Sequence, residues 1–135
     1  MGIKMDKEVI AEMGAGLGNQ MNIYAAALRL SLEKKTPLYL DLTWFNTWPK
    51  YMVPREFGLD KFNISAKIAT KKQIRKYIWR TKFRHINGIM RRLKLGNNKT
   101  YDEGKDFHNV IEFLNIEPSC YIRGYFNRDY FEDIK

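Results

Sequence analysis

The residues best suited to chemistry are the glycines of Gly14-Ala15-Gly16-Leu17-Gly18, which follow a short, mostly apolar run from Val9 to Met13. Glycines between a strand and a helix let main-chain amides approach an anion at the positive helix N-terminus, so phosphate or diphosphate is the ligand such a loop favours. The spacing G-x-G-x-G is one residue short of the dinucleotide fingerprint G-x-G-x-x-G, and no Lys-Ser/Thr follows as a P-loop requires. A purely structural glycine turn therefore stays open beside the anion site. Asp41 stands at the end of the next apolar run, where a ribose-binding acid would sit, which keeps a nicotinamide-dinucleotide-binding domain open as well.

Thr43 to Pro54 holds Trp44, Phe45, Trp48, Pro49, Tyr51 and Pro54 among polar residues, followed by Arg55. Such rings stack on the apolar faces of sugars, but anchoring a long loop to the core is their commoner use. Arg55 has the matching pair of roles, substrate contact or orientation of the aromatic loop. His85 and His108 have no metal-ligand partner at useful spacing. Cys120 is the single cysteine, so no internal disulfide forms, and its apolar surroundings suit a buried small residue better than a nucleophile. No metal requirement is expected.

The elements that must position these residues follow from periodicity. Val9 to Met13 is expected as a strand entering the tight loop. Met21, Tyr24, Ala25, Leu28 and Leu32 recur at spacings of three and four, which predicts an amphipathic helix from about Asn19 to Lys34. Thr36-Pro37 ends it, and Leu38 to Leu42 reads as a second strand. Two strands joined by one helix in so few residues lie parallel with a right-handed crossover, the opening unit of a doubly wound sheet. Thr70 to Leu95 reads as two basic amphipathic helices or one broken at Asn87-Gly88. Gly96 to Gly104 reads as a polar turn, Phe107 to Asn115 as a short strand or helix, and Cys120 to Phe126 as a strand running into a loop. Asp129 to Ile134 reads as the start of a helix that the chain end cuts short. The fold class is α/β, a Rossmann-like parallel sheet with flanking helices, in one domain over residues 1–135.

Eight Phe, eight Tyr and three Trp supply ample core surface in a chain of 135 residues, so the composition is globular rather than disordered. The net charge of +9 is local. Between Ala66 and Tyr101 there are twelve Lys or Arg and no acid, leaving a balance of −3 elsewhere. That segment, centred on residues 70–95, suits a solvated helix face, an anionic membrane surface or a nucleic acid, with Trp79 and Phe83 available for stacking in the last case. No stretch approaches the length of apolar sequence that spans a bilayer, and the start of the chain has no apolar leader core. The expectation is a cytoplasmic protein, peripheral at the inner membrane face if the basic segment meets lipid.

Four blocks narrow the reading. Gly16-Leu17-Gly18-Asn19-Gln20-Met21 followed by Tyr24-Ala25-Ala26-Ala27 resembles the opening signature of the alpha-1,2-fucosyltransferase family, Gly-Gly-Leu-Gly-Asn-Gln-Met/Leu before an aromatic and alanine-rich helix. Leu38 to Phe45 is similar to that family's second strand and its Asp-Leu-aromatic exit. Arg55-Glu56-Phe57-Gly58-Leu59-Asp60-Lys61-Phe62-Asn63-Ile64 is similar to its Arg-x-aromatic-x-Leu-x-x-Phe-Asn-Ile block. Gly124-Tyr125-Phe126-Asn127 with Tyr130-Phe131 resembles its Gly-Tyr-Trp/Phe-Gln-x-x-x-Tyr-Phe segment. Residues 65–119 are not diagnostic. Ala15 replaces the first glycine of the usual pair, and Asn22-Ile23 stand where Phe-Gln is common.

The resemblance implies the N-terminal, mostly acceptor-side half of a GT-B glycosyltransferase, which moves L-fucose from GDP-fucose to a hydroxyl of a galactose-containing glycan with inversion. The family's His-x-Arg-x-Gly-Asp element, whose arginine is expected to stabilise the departing diphosphate, has no match here. On that reading residues 1–135 are an incomplete and by themselves inactive portion, lacking the C-terminal domain that binds the donor. Gly16, Gly18 and Asn19 would form the N-terminal wall of the cleft near the donor's phosphate or fucose, and Gln20 would hold the loop or touch substrate. Trp44 and Arg55 are acceptor-side candidates. No carboxylate is nominated as catalytic base. A nicotinamide-binding domain and a basic nucleic-acid-binding module are the rivals.

Overall fold

The computed structural model describes residues 7–46, 57–78 and 99–131, together with Ile89. Its frame is one five-stranded sheet, all parallel, built from β1 (Val9–Glu12), β2 (Leu38–Asp41), β3 (Lys67–Ile68), β4 (Thr100–Asp102) and β5 (Cys120–Arg123) in the spatial order β3-β2-β1-β5-β4. This is the Rossmann-like α/β architecture the sequence predicts. The chain walks outward from β1 to the β3 edge, crosses to the opposite edge for β4, and returns to the middle with β5 beside β1.

Alternation along the strands explains why both faces are covered. Val9, Ala11 and Met13, with Leu38, Leu40, Cys120 and Ile122, point into one core against α1 (Leu17–Lys34) and α3 (Val110–Leu114). Ile10 and Tyr121 point the other way, into a second core with Ala69, Ile74, Tyr77 and Ile78 around α2 (Lys71–Arg75). A strand buried on both sides must be apolar at every position, which β1 satisfies until Glu12. Each fully buried Leu, Ile or Phe contributes about 1.5–3 kcal/mol. Phe107, Phe113, Phe126 and Tyr130 close the larger core as a cluster of rings 5.1–5.9 Å apart.

α1 differs from its expected form in two respects. It begins at Leu17, with Gly16 as N-cap, so Gly18 and Asn19 lie inside its first turn rather than in the loop. Its core face is Ile23, Ala26, Ala27 and Leu30, while Met21 and Leu32 are exposed. The two alanines bring the helix backbone close to the sheet, and that close approach selects the phase. Periodicity alone accommodated either stripe, because apolar residues occupy both.

β3 and β4 have no counterpart in the sequence expectation, and Gly96 to Gly104 is not simply a polar turn, since Thr100–Asp102 is the β4 edge strand. Both strands are two or three residues long and pair on one side only, so neither carries the full apolar run that marks a central strand. Val110–Leu114 resolves to helix, capped by the Asn109 side chain on the Glu112 N–H. Of the predicted basic helices, Lys71–Arg75 is described, opened by a capping box between Thr70 and Gln73. Beyond Ile78 the segment, including Trp79, Phe83 and His85, lies outside the described residues apart from Ile89. Arg128–Tyr130 forms a single 3-10 turn where a helix start was expected at Asp129. Among the described residues no helix is long and apolar enough to cross a membrane.

Candidate functional site

In open parallel sheets ligands bind in the crevice outside the carboxyl ends of the strands. Here that crevice is a cleft of about 260 Å³ where the two runs of strands meet. β1 and its exit give Glu12, Gly14 and Ala15; β4 and its exit give Asp102 and Glu103; β5 gives Arg123, Gly124 and Tyr125. Trp44 enters from the turn after β2, and Ile23 from α1.

Trp44 is placed by the end of β2. The Asp41 carboxylate, fully buried, accepts from the Thr43 N–H at 2.8 Å and from the Thr43 hydroxyl at 2.7 Å, which starts the 3-10 turn Thr43–Asn46. The indole then lies against Gly14, where an added Cβ would come within 2.8 Å of the ring. Gly14 is thus a glycine because the ring occupies the space of its side chain. Asp41 also takes the Tyr121 hydroxyl, whose oxygen is 3.3 Å from Glu12 Oε2. The acid that stood as a ribose ligand in the nicotinamide reading is therefore a buried organiser of the strand end and does not line the cleft.

The opposite wall is set by a register match. Asp102 and Arg123 are partners across β4 and β5, and the guanidinium Nε and Nη2 donate to the two Asp102 oxygens in a bidentate pair. The Arg123 side chain is 8% and that of Asp102 22% exposed, so water screens the pair weakly. Arg123 also lies over the Tyr121 ring, 5.9 Å from its centroid. Next to them Glu103 Oε1 accepts from the Tyr125 and Phe126 N–H groups at 3.0 and 3.1 Å and pins the loop leaving β5. This loop needs Gly124, since a Cβ there would sit 2.6 Å from Glu103 Cβ. The result is Tyr125 held 65% exposed at the mouth of the cleft. Glu103 and burial together raise the Tyr130 phenol above its ordinary pKa, with burial the larger cause.

The site residues expected from the sequence divide. Trp44 lines the cleft, as do Gly14 and Ala15 of the glycine loop, but Gly16, Gly18, Asn19 and Gln20 do not. Gly18 and Asn19 are exposed on the first turn of α1, beside the loop, and Gly18 has open space where a Cβ would be. Gln20 is buried, donating to the Ala15 carbonyl at 3.0 Å and accepting from the Gly58 N–H at 2.8 Å, so of its two expected roles the loop-holding one is visible. Arg55 lies outside the described residues. Cys120 is fully buried and desolvation pushes its thiol up to about 12, which matches the reading as an inert core residue.

Sequence reasoning missed Glu12, Asp102, Glu103 and Arg123 as cleft residues. Asp102-Glu103 had the look of a surface turn because β4 was unseen. Glu12, a lone acid interrupting an apolar run, was the one signal that could have marked a strand end facing a polar crevice. A second hollow of about 310 Å³ lies behind Glu103, lined also by His108, Asn109, Asn127 and Asp129. Among the described residues no cluster of three or more His, Cys, Asp or Glu side chains is arranged to hold a metal ion. No family model, curated protein or solved structure matches the chain.

Proposed function

We propose that this chain is the acceptor-side half of an inverting fucosyltransferase, transferring L-fucose from GDP-fucose to a galactoside hydroxyl, with the donor held by a second domain. The observation that carries the reading is the convergence of two of the four family-like blocks on one cleft. Trp44, from the block that holds β2, and Gly124-Tyr125, from the Gly-Tyr-Phe block after β5, lie far apart in sequence and line the same crevice. Gly14 and Ala15, immediately before the first block, line it as well, and the Trp44 ring lies against Gly14. Two aromatic side chains with carboxylates nearby suit a sugar ring, because the rings meet its apolar face and the carboxylates accept its hydroxyl protons. Inverting transfer needs that hydroxyl held in line with the anomeric carbon of the donor, which is a positioning task for this half.

The nicotinamide alternative is weakened by the burial of Asp41. The charge of residues 70–95 supports contact with an anionic membrane surface, and with it a cytoplasmic, peripheral location, as part of the same proposal. Incubation of the protein, in the length its cell produces, with GDP-fucose and a β-galactoside tests the reading by mass spectrometry. Addition of one deoxyhexose to the galactoside is the expected product. Binding of NAD with no transfer to any galactoside would replace this function with the dinucleotide one.

A further inference from the structure

The charges on the cleft specify more than a sugar. Three carboxylates, Glu12, Asp102 and Glu103, line the cleft with one guanidinium, and among the described residues Arg123 is the only cationic side chain on the lining. Its Nε and Nη2 are already committed to both oxygens of Asp102. A phosphate or carboxylate entering this space would meet net negative charge from the described lining in a partly desolvated setting, with the one guanidinium there already neutralised by Asp102. The main-chain amides of Tyr125 and Phe126, which would otherwise cradle an anion, are taken by Glu103. On this wall of the cleft the guanidinium and the loop amides are thus each engaged by one of the chain's own carboxylates.

We infer that the cleft between Trp44 and Tyr125 is a site for an uncharged sugar ring that rejects acidic sugars and nucleotide phosphates, and that Asp102 sets this selectivity by neutralising Arg123. The inference rests on the transferase reading only for its choice of a sugar as ligand. It moves the donor's diphosphate away from the floor of this cleft, leaving the exposed first turn of α1 as the nearer part of the glycine loop. Hydroxyl groups are served by the arrangement, since each carboxylate retains acceptor capacity beyond its protein partners. Asp102 is a specificity-determining residue that acts through Arg123, not a catalytic one.

Methyl β-galactoside and methyl β-galacturonate share a ring and differ at C6, where a hydroxymethyl replaces a carboxylate, so they isolate the charge. In NMR titrations of the wild-type protein the galactoside should move the amide signals of Gly14, Gly124 and Tyr125 and the indole signal of Trp44, while galacturonate and GDP leave them in place. Asp102→Asn, its fold checked by the dispersion of the same spectrum, should gain galacturonate binding on the order of tenfold and change galactoside binding much less. Should that variant not fold, Tyr125→Lys at an exposed position should shift the galactoside-to-galacturonate preference the same way. Wild-type protein that binds both rings equally, binds neither, or shows GDP in the cleft overturns the inference. So does unchanged preference in the folded variants. Fucose transfer to acidic and neutral galactosides alike would overturn the selectivity and leave the transferase reading standing. Ring selectivity without any transfer would do the reverse.

Discussion

Gln20 and Gly58 are joined across thirty-eight positions of sequence by a hydrogen bond of 2.8 Å, from the Gly58 N–H to Gln20 Oε1. The same carboxamide donates to the Ala15 carbonyl, so one buried side chain ties the glycine loop to the segment that follows β2. Gln20→Ala strands the Gly58 amide and the Ala15 carbonyl, and should cost about 1–3 kcal/mol. Urea denaturation measures this. A variant with the wild-type midpoint would show that the tie is not holding the loop.

Ala15 sits at φ 63°, in the left-handed region, where the Cβ of an L-residue costs roughly 1–2 kcal/mol. Ala15→Gly should therefore raise stability by up to about 1 kcal/mol, offset in part by the greater freedom of glycine in the unfolded chain. The expected readout is a higher thermal midpoint. A lower one would mean that the methyl group makes packing contacts worth more than the strain.

Gly124→Ala presents the opposite case. The new methyl would meet Glu103 Cβ at 2.6 Å, well inside contact distance, and the carboxylate that pins Tyr125 and Phe126 would have to move. A loss on the order of 1–3 kcal/mol is expected, together with shifted amide signals for Tyr125 and Phe126. Wild-type stability with unchanged signals would remove the steric argument.

Cys120 gives the chain a pH dependence of definite sign. Burial raises its thiol from 9.0 to about 12 in the folded protein, so above pH 9 the unfolded chain loses a proton that the folded one keeps. Stability from this group is complete below pH 9 and falls as pH climbs toward 12, by about 1.4 kcal/mol per unit. Tyr77, raised by burial and by its bond to Glu8, acts in the same direction at still higher pH. Cys120→Ala should flatten the decline between pH 9 and 10 while lowering stability at pH 7 through the small void it leaves. An unchanged slope would show that the thiol is not the titrating group.

The strands that carry the core were legible because burial on both sides forces continuous apolar runs, and β1, β2 and β5 have them. The cleft was half legible. Its glycines and Trp44 are conspicuous in type, whereas Asp102 and Glu103 acquire meaning only from their neighbours on β5, and nothing local announces a pairing made twenty-one residues away. Gln20 shows the same limit from the other side. It stands inside the most recognisable block of the sequence, yet its partners are main-chain groups of Ala15 and Gly58, which no residue type reveals.

The Asp102–Arg123 pair also fastens β4, an edge strand of three residues, to the middle of the sheet. If the proposed selectivity holds, recognition and architecture share a single side chain. On that proposal, a descendant drifting toward acidic ligands by losing Asp102 would loosen its own border at the same stroke, and would need a second, compensating change elsewhere along that border.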